Sequence, residues 1–295
     1  MRRPSAAELM LLVTVVIWAF NFTVTKYVLD NGFAPLAYSS LRFAAAGLLF
    51  AAITYGYEHS FRLQRRHLVL LLGAAVVGIY INQIAFVYAI ELTTASTVAL
   101  IFGTLPVLTA LFAYAFGIER LSRRFWIAAA FSFAGVALVA IGSEGGVSGD
   151  VTGDLLALVG AASWGLYSVA IAPLMRSYSP FRISAVALLA GCLPLALTAL
   201  PQLIDQDWNL PGLVWAGFAF AVLGPLVLTN VLWFTAIDRV GPSRATLVTN
   251  LQPFLAAVFA VVLLSESISA LQLAGGAAIA LSLLLARRRP VAEPT

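Results

Sequence analysis

The sequence predicts an all-α integral membrane protein with ten transmembrane helices, arranged as two inverted five-helix repeats with both termini in the cytoplasm. Three observations lead to this fold class. The composition is strongly apolar, the arginines concentrate in alternate loops, and the second half of the chain repeats features of the first at an offset of 147 residues.

The composition excludes an ordinary soluble globular protein. Of the 295 residues, 61% are hydrophobic and only 10% are charged, whereas a soluble domain carries about 25% charged residues. So few charges cannot cover a water-facing surface of this size, and most of the surface must therefore face lipid. The net charge of +4 comes from short loops between apolar segments, which indicates membrane topology and argues against a nucleic-acid partner.

Apolar segments of about 20 residues, the length that crosses a bilayer as a helix, recur along the whole chain. The first follows the basic N-terminus directly and is long enough to be a span, so no cleavable signal peptide is expected. The ten predicted spans cover roughly residues 8–29, 35–56, 67–90, 94–117, 124–142, 154–173, 181–200, 212–236, 243–264 and 268–286.

The basic residues predict the orientation of these spans. With a cytoplasmic N-terminus, 15 of the 17 basic residues lie in cytoplasmic segments, and the outer segments carry mostly acidic residues. This is the bias that orients multi-pass proteins of a bacterial-type inner membrane. The two exceptions, Lys26 and Arg42, lie within spans near the outer side.

The duplication divides the chain into predicted repeats of residues 1–147 and 148–295. Because each copy holds an odd number of spans, the second copy enters the membrane from the opposite side. Inverted repeats around a site at the membrane midplane are a recurrent transporter design. The pairs at an offset of 147 include Glu91 with Asp238, Pro106 with Pro253 and Glu119 with Glu266, and Trp18 matches Trp164 at 146.

Motifs in both halves resemble the EamA-type transporters of the drug/metabolite transporter superfamily. They are the segment 18–26 (WAFNFTVTK), the step 41–43 (LRF) and the turn 117–122 (GIERLS), with second-half counterparts at 163–167 (SWGLY) and 265–268 (SESI). The resemblance covers nearly the whole chain. It implies a ten-helix fold and export of amino acids or related metabolites, and within the family the sequence is most similar to the aromatic amino acid exporters.

Polar and aromatic side chains at mid-span depth are the candidate substrate-binding residues, because polar groups inside a bilayer usually face a neighbour or a cavity. Aromatic walls stack on a planar or apolar side chain, and amides bind amino and carboxylate groups. Helix packing explains any single one of these residues equally well. The candidates are Trp18, Asn21, Tyr80, Gln83, Phe102, Trp164, Tyr167, Asn230, Trp233 and Asn250.

Two further predictions concern gating and charge. Pro106 and Pro253 occupy equivalent points in the fourth and ninth spans and predict hinges, with a static kink as the alternative. Arg42, two turns into its span, is a candidate contact for a substrate carboxylate from the outer vestibule. It has no basic counterpart in the second half, so this role is asymmetric.

The sequence argues against catalysis and metal binding. His59 and His67 share one loop but lack the ligand constellation of a metal site, no nucleophile-base pattern appears, and we expect no cofactor. No Asp, Glu or His lies at mid-depth, which favours a zwitterionic or neutral substrate and facilitated diffusion over proton coupling. The main alternative is a broad-specificity proton antiporter. An intramembrane enzyme and a channel are weaker alternatives. The sequence leaves the exact substrate and the oligomeric state open.

Overall fold

The computed structural model of the protein describes residues 5–92, 95–142, 151–255, 258–259 and 269–286. Every regular element within these residues is helical. The predicted boundary between the repeats, at residues 147 and 148, lies outside the described residues, as does Glu266.

Within the described part of the chain, seven helical segments are long and apolar enough to cross a membrane. They correspond to predicted spans one to three and five to eight. Shorter apolar helices, Leu100–Ala115 and Ala270–Ala286, occupy the fourth and tenth spans, and the ninth is only partly described. The elements are α1 (Ala6–Asp30), α2 (Pro35–Glu58), α3 (Arg65–Ala75), α4 (Asn82–Leu92), α5 (Ala95–Phe102), α6 (Leu105–Ala115), α7 (Arg123–Ile141), α8 (Val151–Ile171), α9 (Pro180–Asp205), α10 (Gly212–Val222), α11 (Thr229–Val240), α12 (Pro242–Thr249) and α13 (Ala270–Ala286).

Serine side chains define the starts of several helices. The Ser5 hydroxyl accepts a hydrogen bond from the Glu8 N–H, and the Glu8 carboxylate accepts one from the Ser5 N–H, which forms a capping box at α1. The Ser122 and Ser179 hydroxyls accept hydrogen bonds from the Phe125 and Arg182 N–H groups and cap α7 and α9. Such caps satisfy backbone N–H groups that have no partner within the helix.

Two spans contain a π-helical segment at equivalent positions. Val76–Ile81 joins α3 to α4, and Leu223–Leu228 joins α10 to α11. Both limits of the two segments differ by 147 residues, which is the offset of the duplication. The sequence pattern predicts continuous spans at both places. A π-helical turn is rare and often marks a functional site, so its presence in both halves points to these two spans.

Helices of one half pack mainly against helices of the other half: α2 against α9, α7 against α13, α4 against α8 and α1 against α11. Small residues allow the close approach, as is usual between helices in a membrane. A Cβ on Gly275 would lie 2.5 Å from the carbonyl oxygen of Gly135, so α7 and α13 touch along their backbones.

Polar contacts also join loops across the two halves. The Arg182 guanidinium pairs with the Glu58 carboxylate at 2.6 Å and donates to the Arg62 carbonyl oxygen at 3.1 Å. The Glu119 carboxylate accepts a hydrogen bond from the Ser243 N–H, at the start of α12, at 3.4 Å.

Amide side chains near the C-terminal end of α9 make a second set of such contacts. Gln206 accepts from the Ala34 N–H at 2.7 Å and donates to the Gly32 carbonyl oxygen at 2.9 Å. Gln202 accepts from the Leu36 N–H at 2.7 Å. The connection between α1 and α2 is therefore held against the end of α9.

Gly78, in the first π-helical segment, lies directly against Tyr167 of α8. A Cβ at this position would lie 2.2 Å from Cγ of Tyr167. The Tyr167 side chain is only 1% exposed. Because the ring fills the space above Gly78, a larger residue there must displace Tyr167.

Gly78→Ala should therefore destabilise the protein by about 1–3 kcal/mol, the usual cost of overpacking a tight contact. Gly73→Ala is the matched control, because nothing lies within 4 Å of a Cβ at Gly73 on the same span, and its effect should be neutral or slightly stabilising. Thermal unfolding in detergent measures both. Equal unfolding midpoints for the two variants would contradict the packing described here.

Candidate functional site

Three tryptophans meet where α1, α8 and α11 converge. The ring centroids of Trp18 and Trp233 are 5.0 Å apart, those of Trp18 and Trp164 are 5.8 Å apart, and those of Trp164 and Trp233 are 6.4 Å apart. Trp233 is 1% exposed, while Trp18 and Trp164 are half-buried. We call these three residues the tryptophan cluster. Aromatic pairs at such distances and tilts attract each other beyond their area of burial.

Tyr167 extends the tryptophan cluster along α8. Its ring centroid lies 5.5 Å from that of Trp164 and 6.3 Å from that of Phe234 on α11. The structure thus brings together four of the predicted site residues: Trp18, Trp164, Tyr167 and Trp233. Trp18 belongs to the first half of the chain, and the other members belong to the second.

The second π-helical segment supports the tryptophan cluster through backbone carbonyl groups. The Trp18 indole N–H lies 2.9 Å from the Thr229 hydroxyl oxygen and 3.2 Å from the Pro225 carbonyl oxygen. Thr229 also donates to the Pro225 carbonyl oxygen, and the Asn230 amide donates to that of Leu226. Asn230 therefore bonds a carbonyl group of its own helix. A π-helical turn changes the hydrogen-bond pattern of a helix, and side chains can then bond the carbonyl groups.

A chain of polar side chains connects α2, α4 and α8. Arg42 donates to Oε1 of Gln83 at 3.1 Å, and Nε2 of Gln83 donates to Oδ1 of Asn82 at 3.2 Å. Asn82 in turn donates to the carbonyl oxygen of Gly160 at 2.9 Å and to the Ser163 hydroxyl at 3.3 Å. The chain ends one residue before Trp164.

Arg42, the predicted contact for a substrate carboxylate, is buried. It is only 8% exposed. Its guanidinium carbon lies 5.1 Å from the ring centroid of Tyr38 and 5.4 Å from that of Phe43. Cation–π contacts of this kind hold a guanidinium in an apolar environment.

Three predicted site residues make their main contacts outside the tryptophan cluster. Phe102 packs on Phe86 with a centroid distance of 5.9 Å. The Tyr80 hydroxyl lies 3.1 Å from the Thr198 hydroxyl oxygen on α9. Asn250 donates to the Ser132 hydroxyl at 2.9 Å and to the Gly103 carbonyl oxygen at 3.3 Å.

The two prolines with predicted hinge roles follow helix interruptions at equivalent positions. Gly103 and Thr104 separate α5 from α6, and Pro106 is in the first turn of α6. A turn at residues 250–251 ends α12, and Pro253 lies in the helical residues 252–255 that follow. The hydrogen bond from Asn250 to Gly103 joins the two interruptions, and these two residues are themselves 147 apart.

A family model decides the identity of the fold. It describes the EamA-like transporter family and matches residues 5–141 and again residues 151–288. The chain belongs to the EamA-like transporter family. The two matches show two family repeats in this one chain, and the resemblance drawn from the sequence motifs is confirmed.

Relatives of this EamA-like transporter are named as transporters. A probable terminal-alkyne amino-acid exporter of Streptantibioticus cattleyicolor is 29% identical over 286 residues, which cover 97% of this chain and 94% of that protein. The uncharacterized inner membrane transporter YedA of Escherichia coli is 26% identical over 269 residues, covering 87% and 82%. A solved crystal structure has a TM-score of 0.81 at 20% identity, covering 96% of this chain and 97% of its own, and supports the fold alone.

Sequence reasoning missed several residues that build the site of this EamA-like transporter. Asn82 and Thr229 are equivalent at the offset of 147, and each carries a polar contact to the helix of the other half. Asn82 and Thr229 directly precede Gln83 and Asn230, so a comparison of the two halves at the offset of 147 would have identified both. Pro225, inside a predicted span, was the available signal for an irregular helix.

Metal binding has no support from the described side chains of this EamA-like transporter. Among them, no group of three His, Cys, Asp or Glu residues could hold a metal ion. His67 instead lies with its Nδ1 2.9 Å from the Tyr178 hydroxyl oxygen. His59 is exposed.

Proposed function

We propose that this protein exports aromatic or other apolar amino acids and related small metabolites across a bacterial-type inner membrane, by alternating access around the tryptophan cluster. The observation that carries the proposal is the convergence of Trp18 with Trp164 and Trp233 from the two halves of the chain. Alternating access needs a site between two halves that move against each other. Membership of a transporter family and relatives named as transporters support this class of function.

The proposed topology has ten helices, two inverted repeats and cytoplasmic termini. In that topology the loops near Glu58, Glu119, Arg182 and Ser243 all lie on the cytoplasmic side, and the contacts between Glu58 and Arg182 and between Glu119 and Ser243 require this shared side. The contacts of Gln202 and Gln206 likewise join two connections on the outer side. These loop pairings support the prediction made from the arginines.

The proposed substrate class follows from the walls of the site. Three indole rings offer flat apolar faces with polar edges, which suit a planar or apolar side chain. One relative is named as an amino-acid exporter, and this name supports amino acids over other small molecules. Arg42 is the sole Asp, Glu, Lys or Arg among the buried residues that the structure describes, so a strong organic cation finds no fixed counter-charge among them.

The intramembrane enzyme is the weakest alternative, because the buried polar groups around the tryptophan cluster are amides, hydroxyls and one guanidinium, with no nucleophile-base pair among those described. The broad-specificity proton antiporter differs from the main proposal in energy coupling. Proton-coupled carriers usually use a titratable carboxylate or histidine within a span.

The tryptophan cluster predicts the effect of one substitution on transport. Trp164→Ala should reduce counterflow of L-phenylalanine in proteoliposomes at least about tenfold, since loss of one aromatic wall removes more than about 1.4 kcal/mol of binding. Trp126→Ala is the matched control, because Trp126 lies near the start of α7 and is 36% exposed. Undiminished counterflow in a folded Trp164→Ala protein would assign that residue to packing.

The helix interruptions predict a hinge. Replacing both Pro106 and Pro253 with alanine should lower the turnover rate several-fold while substrate affinity changes little, because the prolines allow the helices to bend but lie outside the tryptophan cluster. Turnover is measured as the initial rate of exchange at saturating L-phenylalanine. An unchanged rate would support a static kink.

Energy coupling is tested by collapse of the proton gradient. L-phenylalanine is placed at equal concentration on both sides of proteoliposomes that carry an imposed proton gradient, and facilitated diffusion predicts no net movement, with or without a protonophore. A control with a known proton-coupled carrier in the same vesicles verifies that the gradient is present and is lost on addition of the protonophore. Net accumulation of L-phenylalanine on one side that the protonophore abolishes would establish the antiporter alternative.

A further inference from the structure

Arg42 is a cation that the fold buries without a matching anion among the described side chains. It lies seven residues after the start of α2, about 10 Å along the helix at 1.5 Å per residue, and is only 8% exposed. Burial of a charge is costly unless the charge is paired and fully hydrogen-bonded. The feature that needs explanation is therefore the partner of this guanidinium.

The described partners of Arg42 satisfy it only in part. Gln83 accepts one hydrogen bond from a terminal nitrogen at 3.1 Å, while the buried Nε has no hydrogen-bond partner among the described residues. Glu58 pairs with Arg182 and so is not the partner of Arg42. A guanidinium with a free Nε edge has the geometry that binds a carboxylate through two parallel hydrogen bonds.

A second unpartnered polar atom lies at a matching level on α1. The short connection of residues 31–34 joins α1 to α2, which run in opposite directions. The Thr25 and Tyr38 hydroxyl oxygens are 3.2 Å apart, so these two side chains bridge the helices at one level. Four residues deeper on each helix, on the same faces, are Asn21 and Arg42. Oδ1 of Asn21 is buried and also has no described partner.

The tryptophan cluster lies one further turn along α1. Trp18 precedes Asn21 by three residues and so shares its face, and it contacts both Trp164 and Trp233. The indole N–H of Trp233 is buried without a hydrogen-bond partner among the described residues. Polar atoms without a described partner thus lie on the outer side of the tryptophan cluster, at Arg42 and Asn21, and within it, at Trp233.

We propose that Arg42 and Asn21 form the site for the polar end of an α-amino acid. Arg42 binds the carboxylate through Nε and a terminal nitrogen, and Oδ1 of Asn21 accepts a hydrogen bond from the ammonium group. The side chain of the substrate then lies against the tryptophan cluster, deeper along α1. This inference rests on the proposed function and adds a definite requirement, namely a free α-carboxylate.

The chain of hydrogen bonds behind Arg42 fits this role. Gln83 and Asn82 connect the guanidinium to α8 at Gly160 and Ser163, next to Trp164. Held in this way, the guanidinium needs little reorganisation when a carboxylate arrives. Preorganised partners give affinity because the ordering cost has already been met in folding.

The experiment compares an acid with its amide on purified protein in detergent. Calorimetric titration gives the Kd of L-phenylalanine and of L-phenylalaninamide for the wild type, Arg42→Gln and Arg66→Gln. Arg66 is exposed and serves as the control for loss of one arginine. The wild type should bind the acid about 10- to 100-fold more tightly, since a hydrogen bond to a charged group contributes about 1.5–3 kcal/mol.

Arg42→Gln should bring the two Kd values to within about threefold of each other, by loss of affinity for the acid, and Arg66→Gln should keep the wild-type ratio. Equal binding of acid and amide by the wild type, or an unchanged ratio in Arg42→Gln, overturns the inference while amino-acid transport stands. Absence of wild-type binding to either ligand contradicts the proposed substrate class itself. The wild-type comparison requires no variant, so a folding defect in Arg42→Gln leaves the test intact.

Discussion

The need to satisfy every backbone polar group without water governs this structure. In hydrocarbon an unpaired N–H or C=O costs several kcal/mol, so a helix that departs from the regular pattern must find side-chain partners for the groups it frees. The chain departs from that pattern at two π-helical segments and at two helix interruptions, each pair related by 147 residues. Side chains bond carbonyl groups at these places: Thr229 and Asn230 at the second π-helical segment, and Asn250 at the interruption after α5.

This constraint explains why several buried amides already bond the backbone. Asn82, Asn230 and Asn250 each donate to a backbone carbonyl oxygen. The buried polar atoms without a described hydrogen-bond partner include Nε of Arg42, Oδ1 of Asn21 and the Trp233 indole N–H, beside the aromatic faces of the tryptophan cluster. Such a small set of polar groups beside a large apolar wall is typical of a site that selects for one end of a ligand and tolerates variation at the other.

The sequence predicted most of the fold for clear physical reasons. Hydropathy measures the cost of moving a segment into lipid, so the spans were visible, and the repeat brought Trp18 and Trp164 to equivalent positions. Their ring centroids are 5.8 Å apart in the structure. Trp233 also lies at mid-depth in its predicted span, and the same pattern of aromatic residues placed it among the site candidates with Trp18.

The sequence was less informative about local hydrogen bonding. The π-helical segments change the face that each later residue presents, and hydrophobic periodicity in a span that is apolar on all sides does not reveal such a change. The hydrogen bond from the Asn230 amide to the Leu226 carbonyl oxygen of its own helix was therefore not predicted. The burial of Arg42 was equally hidden, because it depends on Gln83, Tyr38 and Phe43 together.

The central claim is that substrate binds at the tryptophan cluster, and intrinsic fluorescence tests it directly. The chain has six tryptophans, and Trp126, Trp208 and Trp215 lie near helix ends, apart from the cluster. Two proteins are compared, one with phenylalanine at these three positions and one with phenylalanine at Trp18, Trp164 and Trp233. Saturable quenching or a spectral shift with L-phenylalanine in the first protein only is the predicted result. A response confined to the second protein, or equal in both, would contradict binding at the cluster.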